Sequence, residues 1–178
     1  MPEILSQASS QRKMASSVRL VVFDFDGVFT DNMVLISQDG IESVTCCRSD
    51  GLGLSRLKAM GIHMMVVSTE RNPVVTTRCE KLGIDVVQGI EDKAVAVVSL
   101  CEEKVVSTDS TAFVGNDIND LGAFGVVGYP IAVADAYPEV LAAAKLITSR
   151  DGGKGAVREV CDWLYGHHNA ADSQMHPA

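Results

Sequence analysis

Short apolar runs rich in valine, isoleucine and methionine alternate along the chain with longer amphipathic segments. Three of the apolar runs are VRLVVFDF (18–25), IHMMVVS (62–68) and TAFVGND (111–117), and segments such as SDGLGLSRLKAMG and EDKAVAVVSLCEEK lie between them. Continuous apolar runs predict strands that are buried on both faces, and amphipathic segments of about 10 to 15 residues predict the connecting helices. The pattern therefore predicts an α/β fold with a doubly wound parallel sheet in three layers.

One segment, MVLISQDGIESVTCC (33–47), departs from this alternation. Two short apolar runs flank Asp39 and Gly40, a pair that is typical of hairpin turns. We therefore expect a β-hairpin inserted directly after the first strand of the sheet.

Length and composition are those of a single soluble domain. The chain has 178 residues, of which 47% are hydrophobic and 21% are charged, and this is enough to bury a substantial core. Residues 17–166 are predicted to form that domain, whereas residues 1–16 and 167–178 are polar or rich in small residues and are predicted to be mobile ends. The net charge of −8 repels polyanions, so neither nucleic acid nor an anionic membrane is expected as a partner.

The cysteines and the lack of long apolar runs predict a cytoplasmic protein. The start, MPEILSQASSQRKMASS, has no apolar run of signal-peptide length, and no later segment reaches the roughly 18 apolar residues that span a bilayer. The cysteines are odd in number and show no CxxC spacing, so we expect them to stay reduced. They are Cys46, Cys47, Cys79, Cys101 and Cys161.

The first strand ends in two carboxylates. Asp24 and Asp26 follow the apolar run as DFDG, at the carboxyl end of a central strand, where open α/β sheets bind ligands. Two residues apart on an extended backbone, both side chains point to the same side, and two unpaired carboxylates there would repel each other. We therefore expect a cationic group between them.

Polar residues also follow later strands. Ser68 ends the second apolar run, and Lys93 lies at the beginning of EDKAVAVVSL. Each signal is weak alone, because a serine commonly ends a strand and a helix lysine is commonly exposed. The segment FVGNDIND (113–120) ends a third strand with four polar residues, Asn116, Asp117, Asn119 and Asp120.

Three competing motifs are excluded by their spacing. A calcium loop that begins at Asp24 would place Phe29 where glycine is needed and Leu35 where a bidentate glutamate is needed. The GLG at 51–53 lacks the rest of a dinucleotide fingerprint. The GGKG at 152–155 lacks the spacing and the Ser or Thr of a phosphate-binding P-loop.

In chain order, two Asp, one Ser, one Lys and an Asn-Asp cluster at strand ends resemble the four motifs of the haloacid dehalogenase (HAD) superfamily, over about residues 18–160. The resemblance implies a HAD-like, Rossmann-like fold and phosphoryl transfer. Asp24 would be the nucleophile that forms an aspartyl-phosphate, and Asp26 the general acid that protonates the leaving alcohol and then helps to activate water. Ser68 would bind a phosphoryl oxygen, and Lys93 would balance charge beside it.

The same resemblance implies a Mg²⁺ cofactor. Its ligands would be Asp24, the backbone carbonyl of Asp26 and Asp117, which are hard oxygen donors that suit this ion. Asn116 and Asp120 would orient the catalytic lysine and the metal-bound waters. To act as an acid near neutral pH, Asp26 must have a raised pKa.

HAD enzymes usually carry a cap domain, but only the hairpin fits between Asp31 and Ser49. The hairpin, SDGLGL and GGKGAVREV resemble the small capless group of 3-deoxy-octulosonate 8-phosphate and 2-keto-3-deoxynononate 9-phosphate phosphatases. In that group tetramers form through the hairpins, and neighbouring subunits cover each site. The resemblance implies a homotetramer that acts on a phosphorylated sugar acid.

The segment STERNP (68–73) bears on the choice between these substrates. Octulosonate phosphatases typically carry TGR here, whereas this chain has Glu70 in place of the Arg, like the nononate branch, so a nononate 9-phosphate of KDN or sialic acid type is the expected substrate. Glu70 and Lys81 would position the leaving sugar, and Arg78 would reach a neighbouring site to bind the sugar carboxylate. The octulosonate 8-phosphate is the alternative, and Arg78 and Lys81 could equally form an ordinary exposed basic helix face.

A third hypothesis is a non-catalytic tetramerisation domain, similar to the carboxy-terminal HAD domain of acylneuraminate cytidylyltransferases. Such a domain has no reason to retain charges that are costly to bury. Phosphate release in the presence of Mg²⁺ separates this hypothesis from the enzymes.

Overall fold

Seven parallel strands form the centre of the molecule. The computed structural model describes residues 3–4 and 12–175, with side chains for residues 15–168, and within these residues it contains one seven-stranded sheet and one two-stranded hairpin. In chain order the strands are β1 (Glu3–Ile4), β2 (Leu20–Phe23), β3 (Leu35–Ile36), β4 (Glu42–Ser43), β5 (His63–Val67), β6 (Asp85–Val87), β7 (Thr111–Gly115), β8 (Tyr129–Ala132) and β9 (Leu146–Ile147).

Strand β2 lies in the middle of the large sheet, whose order is β1-β9-β8-β7-β2-β5-β6. All four residues of β2 are buried, which explains its unbroken apolar sequence. Phe23 is in register with Val66 of β5 and with Val114 of β7. The residues that follow these three strands therefore emerge side by side at one edge of the sheet.

Helices cover the sheet in two packed groups. Within the described residues the helices are α1 (Arg12–Ser17), α2 (Asp50–Ala59), α3 (Val74–Leu82), α4 (Lys93–Lys104), α5 (Leu121–Val126), α6 (Pro138–Ala143) and α7 (Ala156–Met175). Helices α1 and α2 pack against α7, whereas α4 and α6 pack against α5. This is the three-layer, doubly wound fold that the sequence predicts, and all five cysteines are free, as expected. No described helix is long and apolar enough to cross a bilayer.

The hairpin after β2 is present, although its strands are shorter than the predicted runs. Strands β3 and β4 pair antiparallel, with Ile36 opposite Glu42. Gly40 in the turn has a φ of 75°, a conformation that glycine adopts without a steric penalty. The residues between Asp31 and α2 form only this hairpin, so no cap domain is inserted there.

Both ends of the chain contain regular structure that the sequence analysis does not predict. Strand β1 pairs in parallel with β9 at the edge of the sheet, and α7 continues to Met175, past residue 166 where the domain was expected to end. A two-residue strand is too short to show any periodicity, and the end of α7 has the polar composition of a solvated tail. The mobility of residues 1–16 and 167–178 stays a prediction.

Two glycines bring the loop after β9 against the loop after β2. A Cβ atom on Gly152 would lie 1.8 Å from the carbonyl oxygen of Gly27. Gly153 has a φ of 65° and donates its N–H to the carbonyl of Val28 at 3.0 Å. The glycines of GGKG, which do not fit a P-loop, are therefore needed for this close approach of two backbones.

Replacing Gly152 with Ala is expected to lower the free energy of unfolding by at least about 1–3 kcal/mol, the usual cost of overpacking. The obstacle is a backbone carbonyl, which cannot move aside as a flexible side chain can. Urea denaturation measures the loss. The matched control is Gly166→Ala on α7, where a Cβ meets no described atom within 4 Å and alanine is the better helix former. Equal stability of the two variants would contradict the close approach.

Candidate active site

Three neighbouring strands end in the polar residues that the sequence analysis selects. Asp24 follows β2, Ser68 follows β5 and Asn116 follows β7. Their exposed fractions are only 4%, 1% and 5%, and Lys93, the first residue of α4, is 2% exposed. Because polar groups this deeply buried need partners, their contacts indicate how the site is organised.

Lys93 bridges two buried carboxylates. Its Nζ lies 2.8 Å from Oδ1 of Asp24 and 2.6 Å from Oδ1 of Asp120. Oδ2 of Asp120 accepts the N–H groups of Asn116 at 2.9 Å and Asp117 at 3.2 Å. The sequence analysis expects a cation between Asp24 and Asp26, whereas Lys93 lies between Asp24 and Asp120. Asp120 in turn ties Lys93 to the loop after β7.

Burial and neighbouring charges determine the protonation states of Asp24 and Lys93. The pKa of Asp24 is raised to about 7, first by burial and then by the negative charge of Asp120, while Lys93 acts in the opposite direction. Burial alone would lower the pKa of Lys93, but the two carboxylates outweigh it, and its pKa lies above the ordinary value. Lys93 therefore stays cationic at neutral pH, and a further cation would help to keep Asp24 ionised.

Asp26 is half-buried among acidic neighbours. Burial raises its pKa, Glu70 raises it further, Lys93 lowers it, and Glu42 on the hairpin raises it again. A raised pKa suits a general acid, which must hold a proton near neutral pH. Glu42 is a neighbour that the sequence analysis does not anticipate, because the hairpin carries no chemical motif.

Ser68 and Glu70 organise the loop after β5. Oγ of Ser68 accepts the N–H of Glu70 at 3.0 Å, so the hydroxyl proton stays available to donate to a ligand. Oε1 of Glu70 accepts the N–H groups of Arg71 at 2.6 Å and Asn72 at 2.8 Å. The carboxylate of Glu70 is thus held by its own loop, and its other oxygen accepts no hydrogen bond from the described residues.

The donor atoms at this edge fit the Mg²⁺ that the family resemblance implies. No three His, Cys, Asp or Glu side chains of the described residues converge as ligands, so an ion here would rely on Asp24, Asp117, the backbone carbonyl of Asp26 and water. Mg²⁺ is commonly held by one or two carboxylates and keeps several waters. Oδ1 of Asn116 is buried without a hydrogen-bond partner. This free acceptor could take a hydrogen bond from a metal-bound water.

The loop after β2 depends on Gly27, which belongs to the DFDG motif, and on Thr30, which sequence reasoning missed. Gly27 has a φ of 76°, and a Cβ there would lie 2.0 Å from Nδ2 of Asn116, so only glycine fits. Oγ1 of the buried Thr30 accepts the N–H groups of Gly27 at 3.1 Å and Asn32 at 3.2 Å. A single threonine after a strand gives no sequence signal for such a role.

Arg78 and Lys81 lie apart from the catalytic residues. Together with Arg48 they line a surface cavity of about 280 Å³, to which no catalytic residue contributes. Arg78 donates to the carbonyl of Cys47 at 3.0 Å, and its Nε is buried without a partner. Among the described residues that line this cavity, three are cationic and none is a carboxylate, so the cavity suits an anion. Lys81 is therefore grouped with Arg78 rather than with Glu70.

Asp50, the first residue of α2, is a fully buried carboxylate that the sequence analysis does not select. Its Oδ1 accepts the N–H of Arg158 at 3.2 Å, whereas its Oδ2 has no hydrogen-bond partner. Burial raises its pKa to about 6, although Arg158 and Arg78 favour the charged form. Ionised Asp50 therefore destabilises the folded chain near neutral pH.

The variant Asp50→Asn is expected to gain stability relative to the wild type as the pH rises. The folded pKa is raised from 3.8 to about 6, so the wild type loses up to about 3 kcal/mol as the pH increases between these values, whereas an amide does not titrate. Urea denaturation of both proteins at several pH values between about 4 and 7 measures the difference. A difference that does not change with pH would contradict the raised pKa.

The chain matches a known family in sequence. Residues 66–160 match the family described as haloacid dehalogenase-like hydrolase. Over 151 residues the chain is 34% identical to the 3-deoxy-D-manno-octulosonate 8-phosphate phosphatase KdsC of Salmonella typhi, and the match covers 84% of this chain and 80% of that protein.

Solved structures extend the likeness to the fold. A protein from Streptomyces avermitilis, solved as a HAD family hydrolase, is 46% identical with a TM-score of 0.83, covering 85% of this chain and 87% of that one. The 3-deoxy-D-manno-octulosonate 8-phosphate phosphatase of Moraxella catarrhalis, solved with magnesium, phosphate and KDO, is 30% identical with a TM-score of 0.88, covering 95% and 98%. The likeness therefore spans most of the chain in both sequence and fold.

Proposed function

Because the chain belongs to the haloacid dehalogenase-like hydrolases, among the capless phosphatases of the KdsC type, we propose that its substrate is a phosphorylated 2-keto-3-deoxy sugar acid. As a member of this family it is a phosphomonoesterase that uses Mg²⁺, so the hypothesis of a non-catalytic assembly domain is not retained. The buried chain of Asp24, Lys93 and Asp120 at the end of the central strand supports phosphoryl transfer, and the likeness to octulosonate 8-phosphate phosphatases supports the sugar acid. Burial of these charges costs free energy, and a site without a catalytic role would have no reason to retain them.

Asp24 is the nucleophile in this proposal. Its Oδ1 is held by the N–H of Phe25 at 2.7 Å and by Lys93 at 2.8 Å, whereas its Oδ2 accepts no hydrogen bond from the described residues. Oδ2 is therefore the oxygen that attacks phosphorus, and the aspartyl-phosphate forms as the bond between phosphorus and the ester oxygen breaks. Lys93 and the hydroxyl of Ser68 stabilise the negative charge on the phosphoryl oxygens.

Asp26 is the general acid and then the general base. It gives its proton to the leaving alcohol and later takes one from the water that attacks phosphorus, which releases phosphate and restores Asp24. Burial and the neighbouring Glu70 favour the protonated form that the first step needs. When bound by Asp24, Asp117 and the carbonyl of Asp26, Mg²⁺ supplies positive charge against the phosphate dianion.

Two sugar acids compete as the substrate. The relatives from Salmonella typhi and Moraxella catarrhalis are named for the eight-carbon octulosonate, and this supports octulosonate 8-phosphate as the first candidate. The nine-carbon nononate 9-phosphate, which the sequence analysis ranks first, has only Glu70 and its segment STERNP in its favour and becomes the second candidate. Both are 2-keto acids, and in an assembled tetramer the cavity of Arg48, Arg78 and Lys81 would offer cations to the carboxylate of a substrate at a neighbouring subunit's site.

Phosphate release with Mg²⁺ from the octulosonate 8-phosphate and the nononate 9-phosphate tests the proposal. We expect kcat/KM to be about tenfold higher or more for the eight-carbon substrate, and activity to be lost when EDTA removes the metal. Preference for the nine-carbon substrate would instead favour the second candidate. Hydrolysis of p-nitrophenyl phosphate without release from either sugar would overturn the sugar acid proposal but not the phosphatase.

We also infer that a second copy of the chain covers the open site. Several apolar side chains of the hairpin are exposed by more than half, and contiguous apolar surface of this kind marks association sites. A tetramer that forms through the hairpins, as the family resemblance implies, would bury them. They are Met33 at 69%, Leu35 at 73%, Ile36 at 63% and Ile41 at 66%.

Sedimentation at micromolar concentration is expected to give a mass about four times that of the 19.0 kDa chain. Replacing Leu35 with Glu should dissociate the assembly because it places a charge in the apolar contact. Val105→Glu is the matched control, since Val105 is 91% exposed but lies outside the hairpin. A wild-type monomer, or equal dissociation of both variants, would contradict assembly through the hairpin.

A further inference from the structure

The hairpin is tied to the loop after β5 by one side-chain hydrogen bond beside the catalytic acid. Nδ2 of Asn72 donates to Oε2 of Glu42 on β4 at 3.0 Å. The other end of the Asn72 amide is fixed, because its Oδ1 accepts the N–H of Val74 at 3.1 Å at the start of α3. The carbonyl of Asn72 also accepts a bond from Gln88 at 3.0 Å. The amide group therefore has a defined direction, and this direction sets the position of Glu42.

Asn72 brings two carboxylates to the same side of the site. Its N–H donates to Oε1 of Glu70 and its side chain donates to Glu42. Glu70 lies two residues after Ser68, whose Oγ accepts the N–H of Glu70 at 3.0 Å. These hydrogen bonds therefore place both carboxylates next to the loop that follows β5 at the catalytic edge of the sheet. Lys93 and Ser68 supply the donors on the phosphoryl side. The site is thus divided into a cationic side for phosphate and an acidic side for the leaving group.

This division restricts the part of the substrate that adjoins the ester oxygen. Carboxylates accept hydrogen bonds, and sugar hydroxyls donate them. A neutral chain of hydroxyl groups is therefore favoured beside Glu42 and Glu70, whereas an anionic group there would be repelled. The carboxylate of a sugar acid must lie at the far end of the molecule, away from this acidic side.

We propose that Glu42 is a specificity-determining residue, which accepts hydrogen bonds from the hydroxyls of the leaving group next to the phosphate ester. The proposal rests on the proposed function and adds one residue to it. Glu42 lies on the hairpin, so the insertion after β2 contributes to substrate choice within one protomer in addition to any role in assembly. Asn72 is the positioning residue that holds Glu42 in place.

The experiment compares octulosonate 8-phosphate with p-nitrophenyl phosphate, which has no hydroxyls on its leaving group. The readout is the kcat/KM for octulosonate 8-phosphate divided by the kcat/KM for p-nitrophenyl phosphate. In Glu42→Gln this ratio is expected to fall about tenfold, the scale of a hydrogen bond to a charged group. The Gln side chain can still accept a bond from Asn72, so the hairpin stays tied. The variant Asn72→Ser keeps an oxygen for the start of α3, but its shorter side chain lacks the amide N–H that reaches Glu42, and its ratio should fall less.

The control Asp39→Asn removes one negative charge from the exposed turn of the same hairpin and is expected to leave the ratio unchanged. An unchanged ratio in Glu42→Gln, with a wild type that prefers the sugar, would overturn the role of Glu42 alone. An equal fall in Asp39→Asn would also overturn it, because the effect would then be one of net charge. A wild type that hydrolyses neither octulosonate 8-phosphate nor nononate 9-phosphate would overturn the proposed function and this inference together.

Discussion

Replacing Asp24 with Asn is expected to lower kcat by about 10⁴-fold or more, the scale of losing an essential catalytic group. An amide cannot attack phosphorus, so no aspartyl-phosphate forms. The amide has nearly the same shape as the carboxylate, and Lys93 keeps its second partner, Asp120, at 2.6 Å. The fold should therefore persist. Phosphate release in the presence of Mg²⁺ measures the loss, and circular dichroism checks the fold.

The nucleophilic role of Asp24 has a separate chemical signature. Wild-type enzyme quenched with acid during turnover should contain a phosphoenzyme that hydroxylamine cleaves, and the Asn variant should contain none. The control is Asp31→Asn, which makes the same chemical change at the end of the same loop. Among the described residues, Oδ1 of Asp31 accepts a hydrogen bond only from the N–H of Met33. It should keep most of the activity. A variant at position 24 that retained more than about 1% of kcat would exclude covalent catalysis by Asp24.

Replacing Lys93 with Met is expected to produce the largest loss of stability, about 3–5 kcal/mol in the free energy of unfolding at pH 8. Met preserves the length and packing of the buried side chain but leaves Asp24 and Asp120 without their cation, and these side chains are 6% and 0% exposed. Buried carboxyl groups cost less when they are protonated. The loss should therefore be smaller at pH 5 than at pH 8. Urea denaturation with EDTA present, at both pH values, measures it.

The matched control for this variant is Lys104→Met, at the other end of α4. Lys104 pairs with Glu103 at 2.9 Å, and the Glu103 side chain is 64% exposed. Pairs at the surface contribute little, so this change should leave the free energy of unfolding nearly unchanged. Equal losses in the two lysine variants, or a Lys93 variant with the same loss at both pH values, would contradict the buried bridge.

Much of the catalytic set could be predicted because its residues stand at strand ends. Asp24, Ser68 and Asn116 each follow an apolar run, and parallel strands that are neighbours in a sheet place their carboxyl ends together. The order β7-β2-β5 brings these three residues to one edge. The spacing of Asp24 and Asp26 was also informative, although it did not identify which carboxylates the lysine contacts.

The acidic side of the site and the basic cavity could not be predicted in the same way. Glu42 lies on a hairpin whose sequence shows only two short apolar runs around a turn, yet its carboxylate accepts a hydrogen bond from Asn72 in a distant loop. Lys81 was expected beside Glu70, but it lines a cavity with Arg48 and Arg78. Both sets of contacts depend on how the hairpin and α3 are placed on the sheet. The spacing of residues along the chain does not reveal that placement.

The sequence by itself determined the alternating elements, the polar strand ends and the family to which they belong, because periodicity and motif spacing are short-range properties of a chain. Only the tertiary structure decided that Lys93 joins Asp24 to Asp120, that Glu42 is directed by Asn72, and that Gly152 must lack a side chain beside Gly27. Each of these contacts joins segments that are far apart in the chain. Their partners are chosen by the packing of whole helices and loops, a long-range property that residue order alone leaves open.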